Sequence, residues 1–389
     1  MSQDVDLLEN HVRFVGGGTP SRKQPEYYNG TIPWVTVKDL GEGLFLHDTK
    51  EKITLDAVKN SATNVIAAGN ILICTRMAVG KAVLITKPMA INQDMKAIFH
   101  SEQLDTRFLL FFLRAKQPEL EAIATGATVK GITLDELRSL QLPILSIPEQ
   151  EAIAQRLERA DRLRRLRQHA LTTGDQYLQN VFLDMFGDPE TNPKGWEREE
   201  LGELMAVPPQ IGTTQPAGGT GKQRCVRVGE IGSYYVDLEA CGFVNLDGKN
   251  LRKYRLEHED LLLARAIGSL DHLGKMSIVH DTRDDLVYDS HVMRLRLDSS
   301  RLLPRFLMTM LVTPGGRSLF LKQARRTAVQ FNVNADQMRA LPVIVPKISE
   351  QQRFVTVVQK HERLRRMQVE ALRQAEQLYE TLLDEAFGD

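Results

Sequence analysis

Arg325 and Arg326, followed by Gln330 and Asn332 in "KQARRTAVQFN", form a dense group of hydrogen-bond donors in this 389-residue chain. Forked guanidinium and amide groups are what reading a base edge in a nucleic-acid groove requires, whereas hydroxyls, lysines and loop amides suit phosphate. The first half offers a looser set. Thr19, Ser21, Arg22 and Lys23 lie in "GGGTPSRKQP" and suit phosphate, or serve only as a solvated loop. Arg76 follows the strand-like "ILICT" and reaches a base edge or phosphate, or else forms a surface ion pair. Asn92 and Gln93 are adjacent amides fit to read adenine or to shape a turn, and Lys130 sits in the glycine loop "TGATVKG". In the second half, Lys222 and Arg224 occupy "QPAGGTGKQR", and Arg265 is placed opposite Arg76. His291, Trp34 and Trp196 read more simply as a satisfied histidine and two core anchors.

Other chemistries lack their residues. "PAGGTGKQ" has Pro216 and Gln223 where a P-loop needs glycine and Ser or Thr. No HExxH, GxSxG elbow, C-x-x-C or adenine-methyltransferase pattern occurs. The three cysteines, Cys74, Cys225 and Cys241, are too scattered for a disulfide framework or zinc site and read as buried thiols in a reducing cytoplasm. Fifty basic residues balance fifty acidic ones, which argues against an indiscriminate polycation but not against basic groups gathered on one face. The 42% hydrophobic and 26% charged fractions are those of a globular chain. No apolar run is long enough to span a membrane, and no secretory signal is apparent. No metal, cofactor or catalytic site is expected.

The elements that must position the donors are written twice. Glu149–Asp188 aligns without a gap on Glu350–Asp389, at a constant shift of 201 residues, and both copies close on Phe-Gly-Asp. Each copy reads as a long helix of about 54 Å. One seam is expected along Ile153, Leu157, Leu163, Leu166, Ala170, Tyr177, Val181 and Met185. Its counterpart runs along Phe354, Val358, Leu364, Met367, Ala371, Leu378, Leu382 and Ala386. Such narrow apolar seams favour helix against helix, so the copies are expected to pair with each other. "LTTGD" is a weak point of the first copy. The arginines of "RLRRLR" and "RLRR" fall on a solvated flank or face a partner. Blocks 1–148 and 189–348 share strand-like and helical segments in the same order, giving four parts: 1–148, helix 149–188, 189–348 and helix 349–389. The class is α+β: two similar domains, each followed by a long helix, paired as an antiparallel coiled coil with pseudo-twofold symmetry.

This ordered set resembles a known family. "GGGTPSRKQPEYYNGTIPWVTVKDL" (16–40) is similar to the opening of a target recognition domain in the specificity (S) subunits of type I restriction-modification systems. "LQLPILSIPEQEAIAQRL" (140–157) and "LPVIVPKISEQQRF" (341–354) resemble the junctions into that family's two helices, and "NPKGWEREELGEL" (192–204) its entry into the second domain. The second domain departs by lacking the Thr-Pro-Ser of the first. The resemblance implies a non-catalytic, cytoplasmic reader of double-stranded DNA with a bipartite target. It also implies two modification (M) methyltransferase partners that carry S-adenosylmethionine, restriction (R) subunits added to these, and no membrane. A type IIB-like methyltransferase-nuclease module, or a coiled-coil interaction scaffold, are the alternatives.

Overall fold

The computed structural model describes residues 4–126, 128–232, 234–280, 282, 285–326 and 330–388, with only the backbone of Arg326. Two compact units divide it: one takes residues up to Arg167 with those from Ala371 onward, the other Gln168–Glu370. Each unit therefore contains one mixed domain and part of both long helices.

In the first unit, the strand Ile71–Cys74 lies between Met95–His100 and Ala82–Ile85, antiparallel to both. All four of its residues are buried, so it reads as an unbroken apolar run rather than an alternating one. Ile71 and Ile73 face a core with the helix α1 (Thr106–Ala115), while Leu72 and Cys74 face Val35 and Ile91. Asp105 caps α1 by accepting the backbone N–H groups of Arg107 and Phe108. A second sheet sets Ile32–Val35 parallel to Met89–Ile91. The long helix α2 (Ile147–Phe186) follows.

The second unit repeats this plan. Leu261–Ala264 lies between Val292–Leu297 and Met276–Ile278, and Gln223–Val226 runs parallel to Leu286–Tyr288. A short helix, α3 (Gly248–Tyr254), comes between Gln223–Val226 and Leu261–Ala264 in the chain, and α4 (Pro304–Val312) stands where α1 does. All eight residues of α4 from Pro304 to Leu311 are buried. The second long helix is α5 (Ile348–Phe387). Both long helices have 40 residues, about 60 Å.

In each unit the helix segments run antiparallel. In the first, Arg164 stacks 4.5 Å from the Tyr379 ring centroid, while the earlier Ala154 and Leu157 share a core with Phe387. In the second, Asp175 pairs with Arg365, and the later Phe182 meets the earlier Phe354 at 5.4 Å. Both helices insert their closing phenylalanine into a domain: Phe387 against Phe108 and Phe112, Phe186 against Phe306. Gln150 and Gln351 are the matched hinges of the repeat. Gln150 donates to the Gln103 and Leu145 carbonyls and accepts from Asp105 N–H. Gln351 donates to Arg301 and Pro346 and accepts from Leu303 N–H.

The phase of the seam differs from the expectation. Leu157, Phe354 and Val358 are buried, but Leu163, Leu166, Tyr177, Leu364, Met367 and Leu378 are exposed. The inward face instead carries Gln150, Ala154, Asp161, Leu171, Leu178 and Phe182 in α2, and Gln351, His361, Glu362, Ala375 and Tyr379 in α5. Polar side chains sit there because they are paired: Asp161 with Arg164 and Arg165, Glu362 with Arg305 and Tyr235. Each unit is left with a matching exposed apolar triplet, Leu163, Leu166 and Leu378 in the first and Leu364, Met367 and Tyr177 in the second. The helix continues through "LTTGD". There Gly174 makes room for its neighbour, since a Cβ would lie 3.1 Å from His361 Nε2.

Candidate nucleic-acid interface

Glycine seats the first loop of the first unit. A Cβ on Gly17 would overlap the carbonyl oxygens of Ile91 and Asn92, so only glycine lets residues 16–21 lie on that strand end. Gly18 N–H donates to Ile91 O at 3.0 Å, and Trp34 Nε1–H donates to Gly18 O at 3.2 Å. Trp34 is thus a core anchor that also holds the loop. Thr19 hydroxyl donates to the Gln93 side-chain oxygen, and both residues are exposed. Three further links bring in the rest. Thr75 N–H donates to Asp94 O, Ile132 N–H to Thr75 O, and Met77 N–H to Lys130 O. Arg76 and Lys130 are exposed on the same rim, with Arg76 Nη1 3.7 Å from Asp94 Oδ1.

Thr19, Gln93, Arg76 and Lys130 therefore share one rim, and two other candidates differ in kind. Asn92 is buried, its amide donating to Asp94 Oδ2 at 3.0 Å and its Oδ1 accepting Asp94 N–H. It shapes the turn that aims Asp94 at Arg76 and has no free edge for a base. Arg22 pairs with Glu51 at 2.7 Å and stacks 4.1 Å over Tyr28. Ser21 and Lys23 are exposed beside it.

The second unit builds the same rim from other residues. A Cβ on Gly212 would overlap the Tyr288 and Asp289 carbonyl oxygens, and Thr213 N–H donates to Tyr288 O at 2.9 Å. Asp289 N–H donates to Val226 O as Asn92 N–H does to Val35 O, so Asp289, Ser290 and His291 replace Asn92, Gln93 and Asp94. His291 is exposed, its Nδ1 3.1 Å from Asp289 Oδ2. Arg265 does not answer Arg76. Its N–H donates to His291 O and its carbonyl accepts Val333 N–H, the bonds that Thr75 makes in the first unit. The residue opposite Arg76 is Ala266. In the same frame Glu259, left-handed at φ 66°, stands where the first unit has Gly69 at φ 83°. Arg265 spends its guanidinium on the Val333 and Ser290 carbonyls at 3.1 and 2.9 Å, and burial pulls its pKa below the usual value.

Arg325 and Asn332 face each other across a short antiparallel pair, with Ala266 on the other side of Asn332. Arg325 is exposed, while Gln330 and Asn332 are half-buried. Arg326 lies on the same strand, its side chain outside the described residues. These four thus join the rim beside Arg265. Lys222 and Arg224 lie at the opposite end of the strand Gln223–Val226. Lys222 N–H donates to Val244 O, and Arg224 donates to Leu238 O at 2.6 Å. Sequence reasoning missed Asp94, Asp289 and Ser290, since single acids and serines in turns carry no signal.

Among the described residues no helix is long and apolar enough to cross a membrane. Residues 10–172 match the family described as the type I restriction modification DNA specificity domain. The chain is 27% identical over 227 residues to the type I restriction enzyme MjaIX specificity subunit of Methanocaldococcus jannaschii, covering 52% of each chain. It is 34% identical over 158 residues to the EcoR124I/EcoR124II specificity subunit of Escherichia coli, covering 39% of each. The chain spans about half the length of the curated relatives it matches. In fold it resembles the S subunit of a type I restriction-modification system from M. genitalium, with a TM-score of 0.59, 14% identity, and 100% and 97% of the two chains covered. A chain from a structure concerned with complex assembly and conformational transition of the type I R-M system superposes at 0.52, with 18% identity over 98% of each. The domain match over residues 10–172, the named relatives and the fold agree: what this chain is similar to, in part of its sequence and in its architecture, is the specificity subunits of type I restriction-modification systems.

Proposed function

We propose that the chain is the non-catalytic, sequence-reading subunit of a cytoplasmic type I restriction-modification complex. Each rim reads one half of a bipartite duplex target, and the helices set the length of the unread gap. The observation that carries this reading is one backbone framework with two sets of side chains. Gly17 and Gly212 seat equivalent loops, yet Thr19, Gln93, Arg76 and Lys130 occupy one rim, and Ser290, His291, Arg325 and Asn332 the other. A shared frame with unlike donors suits two different half-sites, because base edges are discriminated by donor and acceptor pattern.

The matched exposed triplets support the partner reading. Leu163, Leu166 and Leu378 in the first unit, and Leu364, Met367 and Tyr177 in the second, are apolar side chains a soluble helix gains little by exposing. Two equivalent patches suit two copies of one partner. These partners are M methyltransferase subunits, which carry S-adenosylmethionine, and R subunits join the assembled complex.

Mapping methylated adenines in the source genome, with and without this gene, tests the function. The expected result is a family of split sites, two constant words around a gap of fixed length, that lose methylation when the gene is deleted. Unchanged methylation, or one uninterrupted word, would refute it.

A further inference from the structure

The two units differ in charge around the short helix that packs beside the strand Gln223–Val226. In the second unit α3 reads "GKNLRKY", and Lys249, Arg252 and Lys253 are all exposed. The helix is fastened from below. Leu251 and Tyr254 pack on the core of Cys225, Val244, Leu246 and Val287, and the Tyr254 ring meets Tyr288 edge-on at 6.3 Å. Its cations are therefore held outward on a fixed element. Among the described residues neither Lys249 nor Arg252 has a carboxylate within ion-pair distance, and Lys253 lies 5.0 Å over the adjacent Tyr254 ring. Lys222 is exposed on the loop that leads toward this helix. Its N–H donates to Val244 O and to Asn245 Oδ1, which seats loop 216–222 directly ahead of α3.

The corresponding helix of the first unit, Leu55–Lys59, reads "LDAVK" and carries one acid, Asp56, and one cation, Lys59. Around it Lys52 and Lys87 share Asp48, and Arg22 is paired with Glu51. Three cations and no acid on α3, against one of each on Leu55–Lys59 with ion-paired cations around it, make the charge asymmetry.

We propose that Lys222, Lys249, Arg252 and Lys253 form a phosphate-gripping surface for the duplex backbone, so that sequence-independent affinity is concentrated in the second unit. This rests on the DNA-reading function proposed above and adds to it which residues hold the backbone. Lysine and arginine on a fixed helix neutralise phosphates without reading bases, and each contact adds about 0.9 to the dependence of log affinity on log salt.

The test uses the full chain assembled with its methyltransferase subunits. Binding is titrated against KCl on two duplexes: one carries the site mapped by methylation, the other has both half-sites shuffled. Replacing Lys249→Gln, Arg252→Gln and Lys253→Gln together is expected to weaken both duplexes by the same factor, roughly tenfold or more near 0.1 M salt. The salt slope should fall by about two to three. The charge-retaining variant Lys249→Arg, Arg252→Lys, Lys253→Arg should restore both, and Arg252→Gln alone should lower the slope by about one. An unchanged slope overturns the proposal. So does a loss confined to the mapped duplex, which would make these residues base readers, or a loss of methyltransferase assembly at unchanged slope, which would make the patch a protein-docking surface. Failure of the wild-type complex to prefer the mapped duplex counts against the proposed function instead; the slope still decides the patch.

Discussion

The two junctions between helix and domain share a backbone plan and fill it differently. In the first unit Arg114 reaches in from α1, donating to Ala82 O at 3.2 Å and Gly43 O at 2.8 Å. Tyr379 packs against Phe111 beneath the Arg164 guanidinium. The same places in the second unit hold Val312, Leu178 and Thr309, and a cavity of 420 Å³ opens between Leu178, Tyr234, Met276, Met308 and Val312. The buried carboxylates are served differently too. Asp161 is held by arginines three and four residues along its own helix, whereas Glu362 is held by Arg305 from the domain and by Tyr235. Duplication preserved the hinges and the hydrogen-bond frame while the junction contents drifted, so the units should respond differently to matched changes.

The largest expected effect is at Arg305, which is buried between Glu362 and Glu259. Arg305→Ala strands the Glu362 carboxylate and should cost the second unit about 3–5 kcal/mol. Hydrogen exchange resolved by unit would register it, with the first unit unchanged; a loss below about 1 kcal/mol would mean the pair is not what holds this junction. Gln150→Ala and Gln351→Ala sharpen the comparison from the other side. Each leaves one N–H and two carbonyls without their partner, and each should cost roughly 2–3 kcal/mol. Equal losses support equivalent hinges, and a large inequality would break that equivalence.

At the rims, Arg76→Gln should relax the target at one position by about 1–3 kcal/mol. Arg265→Gln should instead weaken the fold of its rim, because its donors serve the Val333 and Ser290 carbonyls. Selection of binding sites from a randomised duplex pool separates the two outcomes. Filling the cavity with Leu178→Tyr and Val312→Arg, the first unit's residues, should add about 0.5–2 kcal/mol to the second unit. No gain would indicate that the walls cannot accept them.

The smallest effect is one of pH. His361, where the first unit has Ala160, is buried against Tyr234, Asp175, Arg365 and Glu362, and burial holds its pKa below the ordinary value. The unfolded chain then takes up the proton first as pH falls. This contribution is complete above about 6.5 and declines as pH drops from there toward the lower folded pKa. Thermal unfolding across pH 5–8 should show that slope in the second unit, and His361→Gln should flatten it.

The repeat and both helices were legible in the sequence because a gapless shift of 201 residues survives drift. The seam phase was not. Leu163, Leu166, Leu364 and Met367 look like core at helical spacing yet face outward, while Asp161 faces inward on arginines of its own helix, and His361 and Glu362 face inward on partners from other elements. Apolar periodicity assumes that burial follows hydropathy, and paired polar groups at a helix interface break that assumption. At the rims, residue types brought Thr19, Gln93, Arg76 and Lys130 together in one unit, while Lys222 and Arg224 of the other lie at the far end of their strand. Asn92 and Arg265 were misread, because whether an amide or guanidinium is free depends on neighbours far apart in sequence. The cations of α3 carried no repeat counterpart to draw attention to them.

Two rims that read independently can be altered one at a time. The decisive measurement maps methylated adenines for a chain altered in the first rim alone, with Arg76→Gln and Gln93→Ala. One word of the split site should loosen or change while the other word and the gap stay as they were. A change in both words, or in the gap, would contradict independent reading.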